Sequence, residues 1–446
     1  MASEDSENSV INEGIENFTA LIVHDDLNAC GGSERLAATT IETLAEIGFN
    51  VDLATFTMPD VAKIQRLFGI NLGGIRKILL TNLYSVLNMK GELLDVNTDS
   101  YDIVMNTHGD LLPFHEKHKD NNVAIKGKKA NINLTYCHYP LLPYHIKKGM
   151  YRAFLEKYIH NMSCLEVDKL FANASSQYNL MMNNNTILTN SAFSAKAIKQ
   201  LYHNVNPVVL SPPVDIDKFR KANLCYRYPY DKKQNIVLVV SRFSADKEIE
   251  NAITLANLLK HEYLRGKIEE TKMIIAGNFS ELNYEYIRFL EKMILDYGLQ
   301  NYVKLVFGAS FDRLLDLMKK SKLYFHPLAG EPFGIAIAEA MASGIIPIVP
   351  TIGGSSEFVP SEYQYHSIQQ AADIISNILN EINDDKSNSV VRSLDISSRV
   401  SIFSIQSYKK NFKNIIDEVI KSTEPNENIR IKGGLINFFN KKCEVN

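Results

Sequence analysis

Four polar side chains in the second half of this chain of 446 residues could do chemistry together. Arg242 and Lys247 follow one apolar strand-like run, and Glu331 and Glu339 bracket the start of a short apolar helix pattern. An Arg, a Lys and a helix N-terminus are the groups that bind a diphosphate, because free N–H groups and the helix dipole add to the two fixed cations. The helix begins near Gly334 and Ile335, and Glu339 sits inside it among Ile337, Ala338, Ala340, Met341 and Ala342. A helix apolar all round is normally buried, and a buried carboxylate needs donors. Two sources are open for Glu339: a neighbouring Arg or backbone amide, or hydroxyls of a ligand such as the two of a ribose. Glu331 precedes the helix, where Pro332 and Gly334 break regular structure, and is free to reach a group beyond the diphosphate.

In the first half, Gly31-Gly32 forms a turn after the apolar run Phe18 to Val23, and Ser33 begins a helix pattern. Adjacent glycines let backbone approach a ligand closely or simply make a tight turn. The runs at 101–105 and 132–137 read as strands that end at His108 and His138, a pair suited to lining a cleft or to a structural role. Asp215 and Asp217 form a D-x-D beside two prolines, read as capping chemistry with metal binding as the lesser alternative. Residues 144–160, with Lys126, Lys128 and Lys129 upstream, are aromatic and basic. They read as a solvated face or as a patch for anionic lipid head groups.

The elements that must position these groups alternate strand and helix. Continuous apolar runs such as Ile236 to Val240 are typical of parallel sheets buried on both faces. Each candidate group follows such a run, at the edge where open α/β sheets bind ligands. The chain therefore reads as α/β, with two Rossmann-like doubly wound domains facing a cleft. The expected division is a disordered tail at 1–17, a first domain at 18–212 and a second at 213–404. Residues 405–446 are expected to be a terminal helix plus tail. Residues 57–100 read as helical or irregular, and the stretch between about 383 and 406 as a polar break. The G-x-G-x-x-G fingerprint is absent, which counts against a nicotinamide-dependent oxidoreductase.

Composition is that of an ordinary soluble globular protein, with 45 % hydrophobic and 22 % charged residues. A net charge of −3 offers no global field for nucleic acid. Five scattered cysteines make no disulfide or zinc framework and suit a reducing, cytoplasmic setting. No run is long enough to span a membrane, which leaves peripheral contact with a membrane surface as the membrane reading.

Taken together, these motifs resemble the retaining glycosyltransferases of family 4, whose two-Rossmann architecture is called GT-B. Glu331 and Glu339 match that family's paired-glutamate motif. Ser241-Arg242 through Lys247 matches its G/S-R-x-x-x-x-K element, Gly31-Gly32-Ser33-Glu34-Arg35 its G-G-x-E-R loop, and Gly353-Gly354 with Glu357 the loop that follows. Cys137-His138-Tyr139-Pro140, Ser211-Pro212-Pro213 and His326 are similar to the α-1,2-mannosyltransferases that extend lipid-linked oligosaccharides. The resemblance implies a nucleotide diphosphate sugar as donor substrate, with no separate cofactor and no metal. It puts Glu339 on the ribose, Arg242 and Lys247 on the diphosphate, and Glu331 on the sugar. The Gly31-Gly32 loop would close over the phosphates, and His138 would line the sugar. A glycan or lipid-linked acceptor would bind the first domain, and the last helix would pack back on it. The implied reaction is retaining transfer of a hexose, with mannose from GDP-mannose first and a UDP-sugar second. A non-catalytic nucleotide-sugar-binding module is the alternative of another class.

Overall fold

The computed structural model describes residues 18–80, 96–109, 132–140, 176, 178–223, 230–263, 271–279, 281–384 and 386–423. The expected tails at 1–17 and beyond 424 and the basic stretch 144–160 lie outside the described residues.

The first sheet is built from β1 (Thr19–Val23), β2 (Asn50–Thr55), β3 (Arg76–Leu79), β4 (Ile103–Asn106), β5 (Ile132–Cys137), β6 (Thr186–Thr189) and β7 (Val208–Val209). They run parallel in the order β3-β2-β1-β4-β5-β6-β7. The second sheet contains β8 (Gln234–Val240), β9 (Lys272–Gly277), β10 (Val303–Phe307), β11 (Ser321–Phe325), β12 (Ile346–Pro350) and β13 (Gln364–Tyr365). Its order is β10-β9-β8-β11-β12-β13, again all parallel. Both sheets reverse direction of growth beside their first strand, between β1 and β4 and between β8 and β11. Such switch points open a crevice at the carboxyl ends of the strands. The residues that follow these four strands are His24, Thr107-His108, Ser241-Arg242 and His326, so topology delivers the polar groups to two facing edges.

Each sheet has its own core. Ile22, Leu36, Ile41, Leu53, Met105 and Leu134 are buried in the first, and Val237, Val239, Ile275, Tyr324, Ile337 and Ile348 in the second. The chain crosses between them at Ser211-Pro212-Pro213: Leu210 belongs to the first core and Val214 to the second. It crosses back at Ser404, and the two crossings bond to each other, Val214 N donating to Phe403 O at 2.8 Å. The terminal helix, Ile405–Thr423, then sets Tyr408, Phe412 and Ile416 into the first core. Lys409 holds Glu42 at 2.7 Å and Glu46 at 2.5 Å on the helix Gly32–Glu46.

Two stretches depart from the sequence reading. Residues 76–79 are strand β3, an edge strand whose Arg76 and Lys77 give no apolar run to read. Charges on such an edge suit it, since they discourage pairing with another chain. The polar break is largely helix, Lys386–Arg399. Its serines serve backbone rather than core: Ser393 Oγ donates to Gly344 O at 2.7 Å and Ser397 Oγ to Ala342 O at 2.9 Å. They satisfy carbonyls left open where the helix Ile335–Ala342 ends.

Candidate active site at the cleft

The helices that matter here are α1 (Gly32–Glu46), α2 (Ala192–Leu201) and α3 (Ile335–Ala342). Gly334 caps α3 in the left-handed region (φ +92), so the helix starts directly from the loop of Glu331. That loop is pinned by the glycine pair opposite: Gly354 N donates to Glu331 O at 2.8 Å. On the other side, β8 and β9 end so close together that a Cβ on Gly277 would stand 1.7 Å from Ser241 O. This crossing aims the segment Arg242 to Lys247 at the same loop. Lys247 Nζ lies 2.9 Å from Glu331 Oε2, and His326 Nε2 is 3.6 Å from the same oxygen. Burial alone would raise the Glu331 carboxyl, but the Lys247 charge and His326 hold it well below the usual carboxylate range. Glu331 is therefore ionised and locked to Lys247. Arg242 instead points outward: its side chain is 72 % exposed and its nearest carboxylate, Asp246, is 3.8 Å away. A surface pair of that length contributes little, so the guanidinium can move to an incoming anion at small cost.

Across the cleft, α1 begins at Gly31-Gly32, and Glu34 folds back to accept from Gly31 N at 2.6 Å and Ser33 Oγ at 2.8 Å. Against burial, these bonds and His24 bring its carboxyl down to about 2. The strand ends supply His24, His108 and His138, with ring centroids 5.2 Å and 6.4 Å apart in sequence along the row. Thr107 Oγ1 donates to Val23 O, so His24 Nδ1, 3.0 Å from that hydroxyl oxygen, must carry the proton between them. His24 Nε2 then faces Asp25 Oδ1 at 3.5 Å and Glu34 Oε1 at 3.7 Å. His108 Nδ1 meets Asp25 Oδ1 at 2.9 Å. The ligand atoms of His24, Asp25 and His108 all lie within 4.8 Å of one another, a His-Asp-His set of the type that can hold a divalent metal. His108 and His138 are the strand-end histidines that the sequence marks; His24 and Asp25 join them from the loop after β1. Their only signal was a histidine at the end of the strand beside the switch point.

His138 Nε2 donates to Thr107 O at 3.1 Å, a carbonyl that can only accept. Burial, reinforced by His108, brings its pKa down from 6.5 to about 4, so the ring is neutral at pH 7 and offers an acceptor at Nδ1. The unfolded chain binds the extra proton between those two values, so stability rises with pH across that window and is lost as pH falls toward 4. Replacing His138 with Gln is expected to flatten the pH dependence of unfolding between pH 4 and 6.5 by on the order of 3 kcal/mol. An unchanged slope in denaturant titrations across that range would refute the assignment.

Several contacts among the described residues join the two units across the cleft. Arg35 Nη1 donates to Glu339 Oε1 at 3.2 Å. Of the two donor sources weighed for Glu339, this structure displays the protein one. Burial raises the Glu339 carboxyl, and Arg35 offsets that only in part. Ser191 Oγ donates to Pro332 O at 2.6 Å, and Glu357 caps α2 by accepting from Ala192 N at 3.1 Å and Phe193 N at 2.6 Å. Gly32 packs against Ile335. Arg242 and His138 stand at the edges of this assembly rather than in its pairs. Asp215 Oδ1 accepts from Lys218 N at 3.3 Å and Asp217 lies in a first helical turn, the geometry of capping.

Residues 227–392 match the family model described as Glycosyl transferases group 1. A GDP-Man:Man(3)GlcNAc(2)-PP-Dol alpha-1,2-mannosyltransferase of Dictyostelium discoideum is 23 % identical over 203 residues, 43 % of this chain and 40 % of that protein. The Homo sapiens protein of the same name is 24 % identical over 247 residues, 53 % of this chain and 49 % of its own length. The chain thus spans half or less of the length of these curated relatives. Among solved structures, Anabaena HepE in complex with UDP superposes with a TM-score of 0.60 at 16 % identity, covering 90 % of this chain and 100 % of that one. The chain thus carries a group 1 glycosyltransferase domain over residues 227–392 and has the two-Rossmann fold called GT-B.

Proposed function

We propose that the protein is a retaining hexosyltransferase that takes mannose from GDP-mannose and adds it in α linkage to a glycan or lipid-linked oligosaccharide. The observation that carries this reading is the Lys247–Glu331 pair in the loop that opens α3, within the matched domain. The names of the relatives support the donor and the acceptor class. In the step we envisage, the bond from the anomeric carbon to the β-phosphate oxygen breaks, and a bond to the acceptor oxygen forms on the same face. The acceptor proton passes to the departing phosphate oxygen. Charge that grows on the diphosphate is met by Arg242, Lys247 and the N-terminus of α3, the preorganised kind of stabilisation that dominates many active sites. In this reading Glu331, tied to Lys247, binds sugar hydroxyls rather than attacking carbon. Neutral His138 lines the sugar, and the carbohydrate hydroxyls of the acceptor meet the histidine edge of the first unit. We read the transfer as metal-independent and the setting as the cytoplasmic face of a membrane. No helix among the described residues is long and apolar enough to cross one.

The test is to incubate purified protein with GDP-mannose, UDP-glucose, UDP-GlcNAc and ADP-glucose, with and without a short lipid-linked mannoside, and follow nucleotide release and product linkage. Release of GDP with an α-mannosyl product is the expected result. Preference for a UDP-sugar would redirect the donor, and tight binding with no turnover would favour a sensing module.

A further inference from the structure

Arg35 and Glu339 lie 304 residues apart in the chain and in different units, yet their side chains, 12 % and 11 % exposed, form one ion pair. Its surroundings set its meaning. Gly32 lies so near α3 that a Cβ on it would stand 2.3 Å from Ile335 Cδ1. One turn further along both helices, Arg35 meets Glu339. Gly32 and Ile335 are the first residues of α1 and α3, so the two helix N-termini meet at this contact. Their dipoles converge there, a stronger anion site than either helix makes alone.

Arg35 is one turn from that point. Its guanidinium is held over the Phe68 ring at 5.3 Å from the centroid, which fixes its plane on the first unit's side. Among the described residues it donates only to Glu339, so most of its donors remain available. Glu339 in turn holds a carboxylate in a setting that disfavours charge, and one bond from Arg35 compensates it incompletely. A ribose diol on Glu339 would compete for the oxygen that Arg35 holds. The displaced guanidinium, largely enclosed, then needs an anion, and the nucleotide brings one to the adjoining helix ends.

We propose that Arg35 is a donor-binding residue that exchanges partners: it pairs with Glu339 before donor binding and turns to the diphosphate once ribose hydroxyls occupy that carboxylate. The inference rests on the donor reading above. It makes the first unit a direct reader of the diphosphate and couples donor binding to the apposition of the two units. A planar fork of donors suits phosphate oxygens, and a lysine would serve less well.

Calorimetric titration of wild type, Arg35→Ala, Arg35→Lys and Glu339→Gln with guanosine, GMP and GDP, and with the matching uridine series, tests this. Circular dichroism melts establish that each variant is folded. Arg35→Ala is expected to weaken the diphosphate about tenfold or more while leaving nucleoside binding unchanged or tighter, with partial recovery in Arg35→Lys. Glu339→Gln should weaken all members of the series and preserve the preference for diphosphate over monophosphate. If Arg35→Ala tightens all three ligands alike, or changes none of them, the exchange is refuted, because Arg35 then only blocks or only braces the cleft. Failure of wild type to bind any nucleoside diphosphate would bring down the donor reading itself, an outcome visible before any variant is made.

Discussion

Lys247→Ala is expected to lower sugar transfer at least a hundredfold, the scale set by removing one preorganised charge donor from a developing anion. Two losses add. The diphosphate loses a cation, and Glu331, 18 % exposed and held ionised against its burial, loses the partner 2.9 Å away. Breaking a buried pair by removing one partner is costly because the remaining charge is left uncompensated, about 3–5 kcal/mol where burial is full and less here. The variant should therefore melt earlier as well as turn over slowly. Lys247→Ala/Glu331→Gln separates the two effects: it should regain stability, since no buried charge remains, and stay inactive. Recovery of transfer in the double variant, or a single variant within threefold of wild type, would remove Lys247 from the diphosphate. Arg242→Ala should behave differently, slowing transfer about tenfold with no change in melting, because its side chain is exposed and its contact with Asp246 is long.

The fold is written in the sequence in a way that the contacts across the cleft are not. Two doubly wound domains were legible because parallel strands buried on both faces write continuous apolar runs, as in Ile236 to Val240, and because polar groups follow those runs. The types of the candidate residues were legible for the same reason. Their pairings were not. Lys247 and Glu331 stand 84 residues apart and Arg35 and Glu339 stand 304 apart, and no periodicity encodes a contact made by the meeting of two sheet edges. Arg35 was visible in the G-G-x-E-R string but its partner was not. His24 and Asp25 were missed because a loop after a strand carries no pattern of its own; only its place beside the switch point gives it meaning. The strand β3 and the helix Lys386–Arg399 were missed because neither is apolar: one is a charged edge, the other a helix whose serines cap its neighbour's carbonyls.

Gly354→Ala should show how far catalysis depends on the loop that carries Glu331. A Cβ at this position would lie 1.9 Å from Pro332 O and 3.0 Å from Ser191 Cβ. The first is backbone, so it cannot be relieved by rotating a side chain. Pro332 O must shift, and it is the acceptor of the 2.6 Å bond from Ser191 that ties the loop to the first unit. Gly354 N also donates to Glu331 O, so the carboxylate that faces Lys247 moves with it. The substitution is expected to cost about 1–3 kcal/mol of stability, as overpacking does. It is also expected to cost about a hundredfold in transfer, the usual penalty for a displacement near 1 Å of a reacting group. Nucleotide binding should suffer less, because Glu339 and the body of α3 are anchored by other contacts and the exposed Arg242 can follow the anion. A small rise in the dissociation constant for GDP beside a large fall in turnover is the signature to look for. Equal losses in both would mean that the loop positions the nucleotide rather than the sugar, and would move Glu331 out of the role assigned to it.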